Sequence, residues 1–178
     1  ACSVRPHYVR PSNYELAQIA DAVVIATPIS EMRKEDDPFG SKVRVRVDQV
    51  LKGQVPAELD VEGMRLGRTR PSDPDSIVYS HPEGHAGPCN RVTLAKGAAY
   101  LLFLGKRGEV YAPLGYPFSR VSEDYAGEDT LWTRTVRTYL RLQTTETPTQ
   151  QLATLEAMRT AILADPEATP ADKALAED

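Results

Sequence analysis

The residues with the richest chemistry in this sequence stand close together. The run His81-Pro-Glu-Gly-His85-Ala-Gly-Pro-Cys89 carries two imidazoles and a thiol. Imidazole and thiolate are good zinc ligands, and a metal held there could bind a substrate or hydrolyse it. Pro82, Gly84, Gly87 and Pro88 rule out a helix that would align the three side chains. A fourth ligand would have to come from Cys2 or His7. The plainer expectation for this stretch is a mobile loop with exposed histidines and no metal.

Cys2 and Cys89 are the only cysteines. An even count fits one disulfide, and it fits two unrelated buried thiols as well. A bridge would close most of the first half of the chain, worth about 4–5 kcal/mol in the chain-entropy model. A bridged Cys89 could not ligate a metal. The acidic clusters Asp36-Asp37 and Asp73/Asp75 lack the spacing of a calcium loop and read as solvated loop. There is no phosphate-binding G-x-x-x-x-G-K-[ST], no G-x-S-x-G, no H-E-x-x-H and no C-x-x-C. We therefore expect a non-enzymatic protein with no cofactor.

The elements that must position these residues follow from pattern. The chain has 178 residues, with 14 prolines and 11 glycines, which favours short strands and loops over a long bundle. Ser12 and Glu15 form a capping box that starts a short helix through Leu16, Ile19 and Ala20. Ala22–Ile29 is β-branched and continuous, as in a strand buried on both faces. Residues 31–41 are expected to be a charged loop. Lys42–Leu51 alternates, with Val43, Val45 and Val47 inward and Arg44, Arg46 and Asp48 outward. Weaker strands are expected over Ala57–Leu66 and Val92–Leu94.

Between them, residues 67–90 form a long segment rich in proline and glycine; a loop of this length is usually functional or disordered. Ala98–Leu104 reads as a second fully buried strand. A tight turn over Gly105–Gly108 then leads to a hairpin partner at Glu109–Pro113. Beyond residue 120 the period becomes helical. Leu131, Trp132, Val136, Tyr139 and Leu140 recur on one helix. Thr147, Pro148 and Gln150 start a second, with Leu152, Leu155, Met158 and Ile162 on one stripe. Thr169-Pro170 starts a last short helix, expected to fray.

The expected fold is thus α+β, mainly β. Five or six strands over residues 1–120 make a small barrel or sandwich, and a helical extension at 121–178 packs on it. The formal net charge of -4 argues against a nucleic-acid partner, although Arg44, Arg46, Lys52, Arg65, Arg68 and Arg70 could line one face. Local acidic partners are the expected fate of those cations. The longest apolar run, Ala98–Leu104, is too short to span a membrane.

Several segments, taken in order, resemble the netrin-like module, which includes the tissue inhibitors of metalloproteinases. The start reads Cys2-Ser3-Val4-Arg5-Pro6-His7-Tyr8. Asp21–Ala26 matches a D-x-V-I-x-A strand, and Val45–Gly53 matches V-x-V-x-x-V-x-K-G. Cys89 precedes Gly97–Phe103, which matches G-x-x-Y-L-x-F. The likeness covers residues 2–118. It implies a five-stranded OB barrel, a Cys2–Cys89 disulfide and an extracytoplasmic location: periplasm, cell surface or secreted. It also implies a protein partner, with metalloproteinase inhibition as the sharpest form. In that family the α-amino nitrogen and carbonyl oxygen of the first Cys chelate the protease zinc. Carried over, Cys2 is the chelator and Ser3 enters the specificity pocket, in a ridge of Cys2, Ser3, Val4, Arg5 and Pro6.

Three departures from the family pattern stand out. Val4 replaces the family's second Cys, Ala1 precedes Cys2, and the helical extension is unlike the inhibitors' cysteine-rich C-terminal part. The small cysteine count looks like a bacterial relative. A mature chain starting at Cys2 also looks like a lipoprotein, held to a membrane only through a lipid on that residue. The alternatives are a zinc-binding or hydrolytic protein using His81 and His85, and a structural lipoprotein of the cell envelope.

Overall fold

The computed structural model describes residues 2–34 and 37–178. The Ser12 hydroxyl accepts from the Glu15 amide, and the Glu15 carboxylate accepts from the Ser12 amide. Two otherwise unpaired donors are satisfied, and α1 (Asn13–Ile19) forms as the capping box predicts. β1 (Ala22–Lys34) and β2 (Asp37–Lys52) follow and pair antiparallel from Val23↔Lys52 out to Lys34↔Asp37. The charged loop expected over 31–41 is therefore largely a β-hairpin, with Glu35 and Asp36 outside the described residues. This end reaches beyond the core, so it needs no apolar alternation. Local pairs such as Arg33–Glu31, at 2.8 Å, occupy it instead.

β2 lays Val43 and Val45 into the interior with no exposure. Three of the four cations of β2 meet acids, as expected for a solvated face, while Lys52 instead donates to the Ala17 and Gln18 carbonyls at 2.8 and 2.7 Å. Arg44 forms a two-pronged pair with Asp60, Arg46 pairs with Asp48 at 2.8 Å, and Lys42 pairs with Glu62 at 2.6 Å. At the end of β2, Gly53 turns the chain with φ +82, and an added Cβ would stand 2.3 Å from the Asp21 carbonyl oxygen. Only glycine fits both the backbone conformation and the approach.

β3 (Glu58–Glu62) pairs with β2. β4 (Arg65–Leu66) and β5 (Thr93–Leu94) form a small parallel pair of their own. β6 (Tyr100–Arg107) runs longer than expected. The turn falls at Gly108 and Glu109, before β7 (Val110–Pro113), because Gly105, Lys106 and Arg107 still pair with Ala112, Tyr111 and Val110. β1–β6 pairing and a parallel β3–β7 contact at Val61↔Tyr111 close the ring β1-β2-β3-β7-β6. The result is a closed five-stranded mixed barrel with an OB-like α+β fold. An extra strand, β8 (Ser122–Asp124), adds to the first half of β6. Periodicity misses it because it is three residues long and polar. The expected boundary at residues 120/121 lies just ahead of it.

Two cores share the central strands. Val24, Leu102, Leu104 and Tyr100 fill the barrel with Val43, Val45, Val61 and Leu94. The opposite faces of the same strands, through Val23, Leu101 and Phe103, meet Leu16 of α1 and Trp132, Val136 and Tyr139 of α2 (Leu131–Thr145). Burial on both faces is why these strands read as continuous apolar runs.

The last helices depart from expectation. α3 (Pro148–Ala164) has its capping box but no fully buried residue. Leu155, Met158 and Ile162 are half-buried and wall a cavity of ≈ 250 Å³ with Tyr14, Tyr139 and Leu175, while Leu152 is 58% exposed. The stripe thus faces neighbouring helices and a gap rather than the barrel. α4 (Pro170–Glu177), expected to fray, is tied to the body at its end. The Asp178 carboxylate behind it accepts from the Asn13 amide at 3.2 Å, from Asn13 Nδ2 at 2.8 Å and from Tyr139 Oη at 3.0 Å.

Candidate functional site

The site is built on the segment before α1. Pro6 and Pro11 keep residues 2–12 out of helix, and the segment crosses the surface as an exposed arm. A disulfide joins Cys2 to Cys89, with Cα atoms 5.1 Å apart and a sequence separation of 87. Farther along, Tyr8 Oη donates to the Pro117 carbonyl at 3.0 Å. Arg10 Nη1 donates to the carbonyls of Val78 at 2.6 Å and Phe118 at 3.2 Å. Between these anchors Ser3, Val4, Arg5, Pro6 and His7 face solvent. The five residues expected to form a ridge lie together, with Cys2 half-buried at its base.

Backbone strain concentrates here. Among the described residues, the non-glycine positions with left-handed φ are His7 at 64°, Cys89 at 71° and Phe118 at 61°. All three border the arm. Such conformations cost about 1–3 kcal/mol each and persist only where their surroundings over-determine them. Phe118 is held by its amide, which donates to the Cys89 carbonyl at 2.7 Å, and by the His85 ring stacked on it at 5.0 Å. Arm, bridge and the 116–118 turn thus form one braced unit.

The two histidines separate. His81 is 5% exposed, which corrects the expectation of exposed histidines. Its Nδ1 accepts from the Glu83 amide at 3.2 Å, and its Nε2 lies 2.8 Å from the Arg70 carbonyl, to which it donates. Both ring nitrogens are occupied, and the tautomer is fixed with the proton on Nε2. His81 caps a short 3-10 helix over Pro82–Ala86, where no helix was expected. Pro82 in its first turn and Gly87 just beyond it suit that single turn, though not a longer α-helix. His85 is exposed and points to Phe118. Cys89 is bridged and has no thiolate to offer. Among the described residues, no three His, Cys, Asp or Glu side chains converge as a metal site.

The long segment 67–90 is not loose, and the residues that hold it were missed. Arg91 is 3% exposed. Its Nη1 donates to Asp124 Oδ2 at 2.5 Å and Ser72 Oγ at 3.3 Å. Nη2 donates to Thr69 Oγ1 at 3.2 Å, and Nε to the Thr93 carbonyl at 3.0 Å. Arg120, 1% exposed, donates to the carbonyls of Tyr79 at 2.6 Å and Asp73 at 3.1 Å. It stacks over Trp132 at 4.5 Å and sits near the buried Glu123 carboxylate. Burial holds the Arg120 guanidinium below its ordinary pKa, with Glu123 opposing. The available signal was a pair of arginines flanking apolar runs next to a loop full of carbonyls that need donors.

Compared with protein-family models and with curated proteins, the chain matches none. The disulfide is compatible with an extracellular location. Among the described residues no helix is long and apolar enough to cross a membrane.

Proposed function

We propose that this chain is a non-enzymatic, extracytoplasmic protein-binding module of the netrin-like kind, with the arm at Cys2–Pro6 as its docking element. The observation that carries this reading is the bracing of an exposed five-residue arm. One disulfide and two side-chain clamps fix its ends, while Ser3, Val4 and Arg5 stay free of the body. A segment already ordered before binding loses little entropy on binding, so it suits insertion into a partner's cleft. The sharpest form is inhibition of a zinc endopeptidase. The Cys2 amine and carbonyl would chelate the protease zinc, and Ser3 would occupy the adjacent pocket. A lipid on the Cys2 amine would block that chelation and leave a tethered binding module.

The test is inhibition of a panel of zinc endopeptidases by protein processed to begin at Cys2 and by protein that retains Ala1. Ala1 lies outside the described residues. We expect one-to-one inhibition by the first form and at least about a hundredfold weaker inhibition by the second, since an amide nitrogen is a poor zinc ligand. The C2S/C89S variant should lose about 4–5 kcal/mol of stability if it remains folded, with the arm released. No inhibition by either form across the panel would remove the protease reading.

A further inference from the structure

The arm does not stand alone on its side of the molecule. Arg10 ties it to Val78 and Phe118, Tyr8 ties it to Pro117, and Cys89 binds both the arm and the Phe118 amide. Three segments therefore share one face: residues 2–10, the 78–89 segment and the turn at 116–118. Nine large apolar or aromatic side chains are exposed in the described residues, and four of them belong to these segments. They are Val4 at 38%, Val9 at 84%, Tyr79 at 76% and Tyr116 at 38%.

The charge of these segments runs against that of the whole chain. They carry Arg5 and Arg10 at the surface, on a protein of net charge -4. Their one acid, Glu83, is already occupied. Its carboxylate accepts from the Thr93 amide at 3.0 Å and the Thr93 hydroxyl at 2.6 Å, and it lies 3.4 Å from Arg65. Arg5 makes no ion pair among the described residues.

We infer that these segments form one docking face, wider than the arm, whose partner is a protein surface that is acidic at its rim and accepts tyrosine and valine side chains at its centre. This rests on the protein-binding reading above and names the partner's chemistry. Exposed tyrosine and arginine around aliphatic anchors are the side chains that concentrate binding energy in protein interfaces. A polyanion fits less well. Few cations are free to follow a backbone.

The probe is a random copolymer of glutamate and tyrosine, titrated into the full chain by calorimetry. Polyglutamate, heparin and a single-stranded oligonucleotide serve as comparators. We expect the copolymer to bind about tenfold more tightly than polyglutamate, and to weaken steeply as salt rises. Arg5→Glu and Tyr79→Ser should each weaken it at least about fivefold. Arg159→Glu, on the exposed face of α3, should leave it unchanged. Neither Arg5 nor Tyr79 has a side-chain bond to the body, so both variants should fold, as circular dichroism would confirm.

Tighter binding of heparin or the oligonucleotide would make this a polyanion surface and overturn the proposal. So would copolymer binding that ignores Arg5→Glu and Tyr79→Ser, or no binding at all. The copolymer needs neither zinc nor a free Cys2 amine. Copolymer binding without protease inhibition therefore rejects chelation alone, and inhibition without copolymer binding rejects the docking face alone.

Discussion

Asp178 shows how one side chain can fix the position of a helix. Its carboxylate collects three donors, two from Asn13 and one from Tyr139, and so pins the end of α4 to α1 and α2. Burial is the largest influence on it and raises its pKa above the ordinary 3.8. The donors from Asn13 and Tyr139, and the more distant Arg10, oppose that rise without cancelling it. Burial and the Asp178 charge also push the Tyr139 phenol well up.

The sign of the linkage follows from that raised value. Between 3.8 and the folded-state pKa the native chain binds more protons at this group than the unfolded chain does, so stability falls as pH rises through that interval. The contribution is whole below 3.8 and is lost above the raised value. Other carboxylates act in the opposite sense, since Arg44 lowers Asp60 and Arg33 lowers Glu31. The comparison must therefore be with Asp178→Asn, which keeps one acceptor and cannot ionise. In urea titrations across acidic pH, the native chain's advantage over that variant should be greatest below 3.8 and should shrink as pH rises. A difference that stays level with pH would show that the carboxyl titrates alike in both states.

At the scale of elements, the decisive case is the 67–90 segment that follows β4. Its proline and glycine content marks it as loop, and that much is legible from sequence. Its order is not, because the order comes from Arg91 and Arg120, which reach into it from outside. A buried guanidinium supplies several donors in a fixed plane, so one arginine can satisfy carbonyls that share no sequence pattern. The capping boxes at Ser12 and Thr147 were legible because they are local. So was β2, where an alternating period of two records one buried face. β8 and the outer β1–β2 hairpin were not, because short or solvent-bound strands leave no apolar period. The same logic divides the candidate site. The two cysteines and the arm's prolines are visible in sequence, but the convergence of His7, Cys89 and Phe118 exists only after folding.

Arg91→Ala therefore tests the element as a whole. It strips Asp124, whose side chain is 17% exposed, of its cation and releases Ser72 and Thr69. We expect a loss of about 3 kcal/mol, near the low end for breaking a buried pair because Asp124 keeps some contact with water. Trypsin should then cut the Arg68–Thr69 bond much faster than in the native chain. Cleavage at an unchanged rate would mean that Arg120 and the disulfide hold the segment without Arg91.

For the whole molecule, the question is whether barrel and helices are separable. β1 and β6 answer it through alternation. Val24, Leu102 and Leu104 point into the barrel, while Val23, Leu101 and Phe103 point at α1 and α2. Each central strand is thus half of two cores. A chain cut after residue 120 would keep the disulfide and every strand of the closed ring. It would lose β8, which covers the Tyr100–Leu102 edge of β6, and Trp132, Val136 and Tyr139, which cover its outer face.

Baring Leu16, Val23, Leu101 and Phe103 at about 1.5–3 kcal/mol for each large side chain costs roughly 6–12 kcal/mol. That is comparable to the 5–15 kcal/mol of net stability typical of a domain. The fragment 1–120, with its disulfide formed, should therefore show no cooperative thermal transition and should bind a hydrophobic dye. The full chain should unfold in one step, with calorimetric and van't Hoff enthalpies in agreement. A sharp transition in the fragment would instead make the barrel a domain in its own right. The helices would then be a cover over a face that tolerates water, and the docking arm could be studied on the barrel alone.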